Sequence, residues 1–188
     1  ILFKLDGKLI LTTTETVAFE SLTRNETEIA VHADIDDEGQ TVEVRVPELH
    51  TTATINGKHD VTTNGSVTIK DKVAYTGLIV GKEYTVKGVL MDKSTGKPYQ
   101  DSNGKEITAE TKFTAEKPEG EIELSFQFDA KDLKVTKTLV VFERLYLEEL
   151  EIGAHADLND TDQTVKITPP PVIPHTGNVD MLGWATLG

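Results

Sequence analysis

The chain has 188 residues, a formal charge of −13 and no cysteine. A surface this acidic repels phosphates, which argues against nucleic acid as a partner, and without thiols no disulfide can staple the fold. The length accommodates one domain of ordinary size and part of a second. Val, Thr, Ile and Leu recur in short runs broken by Asn-Gly, Thr-Gly and Pro-Glu-Gly, and no stretch sustains a helical period, so the predicted class is all-β. The chain opens at Ile1 and closes at Gly188 on the start of an apolar stretch, and a piece of a longer protein is expected.

Residues 1–46 align without a gap to 124–169, a shift of 123 positions, with Phe3/Phe126, Asp6/Asp129, Val17/Val140, Phe19/Phe142, Glu20/Glu143 and Leu22/Leu145 identical. A period this long signals tandem domains, because solenoid units are much shorter. The first unit, 1–46, is expected to hold only the last strands of a truncated repeat, poorly anchored, with an apolar face and unpaired edges left open. Val46-Pro47-Glu48 forms the join, where proline limits strand pairing. The complete unit, 48–168, has predicted strands at about 49–55, 66–76, 83–91, 107–114, 120–128, 138–147, 150–157 and 163–168. Between them lie Asn56-Gly57, Asn64-Gly65, the hairpin signal Asp92-Lys-Ser-Thr-Gly96, Asn103-Gly104 and Pro118-Glu-Gly120. Strands this short and this regularly spaced predict an immunoglobulin-like β-sandwich. Phe128–Leu133 is expected to make one helical turn.

After Ile167 the composition changes. Residues 169–188 open with three consecutive prolines, which favour a stiff extended spacer. Ile173-Pro174-His175-Thr176-Gly177 then resembles the sortase signal Leu-Pro-x-Thr-Gly, with Ile in place of Leu. A full signal continues into a membrane segment of about twenty apolar residues, and Met181–Gly188 is in position to begin one.

Each copy of the repeat keeps a polar trio in register. Glu20, His32 and Gln40 recur as Glu143, His155 and Gln163, with twelve positions from Glu to His and eight from His to Gln. Side chains alternate across a strand. Thr51 therefore falls in the core row Leu49, Ala53, Ile55; Asp71 in Val67, Ile69, Val73, Tyr75; Glu143 in Leu139, Val141, Leu145, Leu147; and Gln163 in phase with Val165 and Ile167. Four polar groups on core faces are costly unless they meet one another. His155 breaks the pattern. Its apolar row is Ile152, Ala154, Ala156 and Leu158, which turns His155 to the opposite face unless a bulge intervenes.

At these residues the chain resembles the VaFE repeats of Gram-positive surface proteins, also called Thr–Gln ester-bond domains. The resemblance lies in Val17-Ala-Phe-Glu20 and Val140-Val-Phe-Glu143, Leu49-His-Thr51-Thr-Ala53, Asp71-Lys-Val-Ala-Tyr75, Gly81-Lys-Glu-Tyr-Thr-Val86, Thr95-Gly-Lys-Pro98 and the segment from His155 to Gln163. It implies an immunoglobulin-like fold whose first and last strands are joined by a spontaneous side-chain ester with loss of ammonia, with no cofactor. It implies Thr51 as nucleophile, Gln163 as acceptor, Asp71 and Glu143 as an acidic pair and His155 as candidate base. The chemistry needs such groups: a weak hydroxyl nucleophile must lose its proton as it attacks, and an amide carbonyl must be polarised. Of two carboxyls crowded in a dry site, one should keep a proton. For the first copy the resemblance implies no ester, since its Thr would precede residue 1. It further implies a stalk domain of a wall-anchored adhesin or pilus-like protein, with sortase and cell-wall peptidoglycan as partners and any host ligand bound upstream.

Other readings are weaker. Asp34–Gly39 resembles a calcium loop, but its twelfth position is Arg45. The five histidines lack close zinc-ligand spacing, and no metal is expected. A module holding a host ligand through its hairpins would show an exposed aromatic patch over 92–104. A turnover enzyme would need an open cleft at Asp71 and Glu143.

Overall fold

The computed structural model describes residues 1–5, 10 and 12–172. Among the described residues fourteen strands follow one another: β1 Thr14–Val17, β2 Glu20–Arg24, β3 Thr27–His32, β4 Thr41–Val44, β5 Glu48–Thr54, β6 Asp60–Thr62, β7 Ser66–Thr76, β8 Glu83–Asp92, β9 Lys97–Pro98, β10 Thr108–Thr114, β11 Gly120–Asp129, β12 Lys137–Leu147, β13 Leu150–His155 and β14 Thr164–Thr168. From β5 onward they build an immunoglobulin-like sandwich. One sheet runs β10-β8-β12-β14-β6, with β13 on β12 and β9 on β8, and the other is β11-β7-β5.

Period-two patterning decides which face each strand buries. In β7, Val67, Ile69, Asp71, Val73 and Tyr75 are buried while Lys70 and Lys72 are exposed, where they pair with Glu123 and Glu121 of β11. Opposite, β12 buries Leu139, Val141, Glu143 and Leu145. The two inner rows close on Leu90, Leu124 and Phe126, each without exposed surface. Burial of one such side chain contributes about 1.5–3 kcal/mol, so the alternation that points them inward also fixes strand register. At Asp92–Gly96 the chain reverses as its turn residues require: Gly96 adopts φ +65° and its N–H donates to Asp92 O at 2.8 Å.

Two expectations change. Residues 128–133 make a turn and no helix, because β11 continues through Asp129, whose Oδ1 accepts from Lys131 N at 2.9 Å and bends the chain at once. The strands Asp60–Thr62 and Lys97–Pro98 are too short and polar for alternation to reveal; β6 forms only by pairing in parallel with β14.

The first 44 residues repeat the pairing of the last strands. β1 pairs with β4 as the start of β12 pairs with β14, and β2 with β3 as the end of β12 with β13. Their apolar face is open: Leu22 is 60% exposed whereas its counterpart Leu145 is 0% exposed, and Phe19, Ile29, Val31 and Val42 are exposed too. Local hairpin pairing survives there without an opposing sheet.

Candidate cross-linking site

Four strands of both sheets deliver the polar residues to one point inside the sandwich. Thr51 comes from β5, which edges the small sheet; Asp71 from its central strand β7, paired beside Ala53; Glu143 from the middle of β12, paired with Gly88; and Gln163 from the residue preceding β14. Asp71, Glu143 and Gln163 have no exposed surface and Thr51 has 6%. Each fills an inward position of an apolar row, so burial by the neighbours on either side holds it there.

The Thr51 hydroxyl donates to Glu143 Oε2 at 3.5 Å. Gln163 Nε2 reaches the same Glu143 oxygen and is in direct contact with Thr51 Oγ1. The side chains of the first and last long-range strands therefore meet. Gly88, the ladder partner of Glu143, leaves room for the core beside the site: a Cβ there would lie 2.5 Å from the Phe126 ring and 2.8 Å from Leu124 Cδ1.

As two carboxylates, Asp71 Oδ1 and Oδ2 and Glu143 Oε1 would be buried acceptors without a donor. Two buried charges side by side are costly, and a proton retained by the pair relieves both the repulsion and the missing donor. Burial, then the charge of Asp71, pushes Glu143 up to about 10. Burial also raises Asp71, opposed by its hydrogen bond with Glu143 and by the nearby His155. The pair therefore keeps a proton at neutral pH, and Gln163 Oε1 remains a buried acceptor without a donor.

His155 lies beside this group. The ladder between β12 and β13 pairs Leu145 with Gly153 but Tyr146 with Glu151, so Ile152 is an extra residue. Beyond that bulge the faces exchange: Ala154 is exposed, and half-buried His155 pairs directly with Glu143. Its Nδ1 lies 3.3 Å from Leu49 O and its Nε2 2.8 Å from Asp160 Oδ2. Neither nitrogen is bonded to Thr51 or Gln163; the group in contact with the hydroxyl is Glu143. Asp160 was not evident from alternation. Its Oδ1 accepts from the N–H groups of Asp162 and Gln163 at 2.8 and 3.3 Å. Although burial raises Asp160, those N–H groups and His155 outweigh it and hold the carboxyl below its ordinary value. The signal that finds Asp160 is the repeat itself. Asp37 stands at the same offset from His32, and the two side chains meet at 2.8 Å.

In the first copy Glu20 and His32 are exposed on opposing strands, and Gln40 is half-buried with its Oε1 unpartnered. The same bulge recurs there at Ile29. Ile173, Pro174, His175, Thr176 and Gly177 lie outside the described residues.

The class of domain is an immunoglobulin-like sandwich that buries a Thr–Gln contact against paired carboxyls. Residues 1–44 and 47–167 match the family of T-Q ester bond containing domains, and the chain belongs to that family. No curated protein matches it. Among solved structures it is similar to a bacterial adhesin from Mobiluncus mulieris containing intramolecular disulfide, isopeptide and ester bond cross-links. One crystal form gives a TM-score of 0.57 and a second gives 0.56, each at 20% identity over 67% of this chain and 58% of the adhesin chain. At that identity the likeness establishes the fold alone, and the chain spans little more than half of the adhesin's length.

Proposed function

We propose that residues 48–168 form a stalk domain of a bacterial surface adhesin, closed by a spontaneous ester between Thr51 and Gln163 with release of ammonia. The observation that carries this reading is the contact of the Thr51 hydroxyl and the Gln163 carboxamide inside the core, against the buried carboxyls of Asp71 and Glu143. Turning the Gln163 amide by half a turn brings its carbonyl oxygen to Glu143, where the pair's proton, moved from between the carboxyls to that oxygen, polarises it. Thr51 Oγ1 attacks Cδ, and the hydroxyl proton passes toward the Asp71–Glu143 pair. The same pair returns a proton to the nitrogen as the C–N bond breaks. The walls, which leave only Thr51 a trace of exposure, limit the access of water to the product and slow its hydrolysis. Each molecule reacts once, so the domain is structural and does not turn over substrate.

The mechanical reading follows from where the strands lie. β5 follows the Val46–Pro47 join and β14 precedes the proline-rich spacer. Tension on a tandem stalk enters by the first and leaves by the second, and an ester between them carries load past the hydrogen-bonded sheets. In this reading 1–46 is the end of a preceding repeat, and 169–188 is a spacer with the sortase-like signal for attachment to cell-wall peptidoglycan. Two rivals lack their diagnostic feature. Tyr99 of the 92–104 hairpin packs against Phe128 at 5.3 Å instead of joining an exposed aromatic patch, and Asp71 and Glu143 have no exposed surface for a substrate to reach.

Intact-mass measurement tests the reading. The chain should weigh one ammonia less than its sequence, and Thr51→Ala and Gln163→Ala should each restore the full mass. Hydroxylamine should restore the Thr51 hydroxyl, which separates an ester from an amide cross-link of equal mass. A wild-type mass equal to that of the sequence sinks the proposal.

A further inference from the structure

Of Thr51, Asp71, Glu143 and Gln163, Thr51 alone keeps any exposed surface. That surface opens into a cleft of about 260 Å³ whose lining includes Thr51, Thr52, Glu121, His155, Asp160 and Asp162. The cleft arises from how the two sheets are laced. β5 is an edge strand of the small sheet, and the segment 155–162 is stitched to it at two points: His155 Nδ1 against Leu49 O at 3.3 Å, and Ala53 N donating to Asp162 O at 2.9 Å. Thr51 lies midway between the stitches, where the seam is least closed.

We infer that this cleft is the solvent portal of the cross-link, through which ammonia leaves as the ester forms and small nucleophiles later reach it. The inference rests on the ester reading above. In the forward step the Thr51 Oγ1–Gln163 Cδ bond forms, the Cδ–Nε2 bond breaks, and the hydroxyl proton leaves with the nitrogen as NH3. The rim carries the carboxylates of Glu121, Asp160 and Asp162 against the ammonium of Lys72, which pairs with Glu121 at 3.0 Å. A net negative rim attracts the ammonium that ammonia becomes on reaching water. In the reverse direction, hydroxylamine nitrogen attacks the ester carbonyl, leaves a hydroxamate on the Gln163 side chain and returns a proton to Thr51 Oγ1.

The experiment is a time course of hydroxylamine cleavage on the folded, cross-linked chain, read by intact mass without denaturant. Thr52→Trp places a bulky side chain over the cleft from an exposed position of β5. Lys70→Trp adds the same bulk to the same sheet face outside the cleft, and Asp162→Ala trims the rim. Cleavage should slow several-fold in Thr52→Trp, quicken in Asp162→Ala and keep the wild-type rate in Lys70→Trp. Equal rates in all four chains, or no cleavage of the folded wild type, overturn the portal while leaving the ester intact. A wild type that never loses ammonia removes the ester reading and the portal with it.

Discussion

At Glu143 the electrostatics of the fold and the chemistry of the site coincide. The folded chain holds a proton there up to about 10, whereas an unfolded carboxyl releases it near its ordinary value of 4.5. Between these values the folded state binds more protons than the unfolded state, so stability falls as pH rises. The contribution is fully present below the lower value and lost as pH rises through the higher one. In a Thr51→Ala chain, which cannot cross-link, unfolding free energy should decline over that window. The slope from this proton is at most about 1.4 kcal/mol per pH unit. Adding Glu143→Gln should remove that part of the slope, and denaturant titrations at several pH values measure the difference. Identical slopes in the two chains would show that Glu143 is ionised in the fold.

Two features of the strands prepare this site. The bulge at Ile152 turns His155 to the face of Glu143, and a one-residue slip exchanges the faces of a strand. Deleting Ile152 should therefore direct His155 outward and slow ester formation about as much as His155→Ala does, as followed by mass against time. An unchanged rate in both chains would remove the histidine from the reaction. In β8, Gly88 faces Glu143 and lies under the Phe126 ring and Leu124. Gly88→Ala forces those side chains to shift, at a cost of roughly 1–3 kcal/mol, and slows the reaction by moving the walls of the site. Chemical denaturation and the mass time course report the two effects separately.

Across the whole domain, Thr51 and Gln163 are 112 residues apart in sequence. Linking them restricts the unfolded chain, and the loop-entropy relation for disulfides puts the stabilisation at roughly 4–5 kcal/mol. Cross-linked wild type should exceed Thr51→Ala by that amount in unfolding free energy, after allowance for the lost hydroxyl contact. Equal stabilities would mean that the ester contributes to mechanics alone. The exposed Leu22, Ile29 and Val31 of the first 44 residues show the contrary case. The same strand pairs form there, but without the opposing sheet Glu20 and His32 stay in solvent, and like pairing does not assemble a like site.

Much of this was legible in the sequence because alternation is a local property. Period two predicted the long strands and set Thr51, Asp71, Glu143 and Gln163 on inward faces, and the internal repeat marked the motif that contains three of the site's residues. The brief strands at 60–62 and 97–98 were hidden, since they exist only by pairing with distant partners. The face of His155 was undecided for a related reason: a bulge belongs to two strands together, and neither strand alone announces it. The sequence by itself determined the all-β class, the faces of the long strands and which polar groups those faces turn inward. Only the tertiary structure decided that the Asp71–Glu143 pair is buried deeply enough to keep a proton, that Asp160 clamps His155, and that solvent reaches Thr51 and none of its three partners. Each of these depends on burial and distance between segments far apart in the chain.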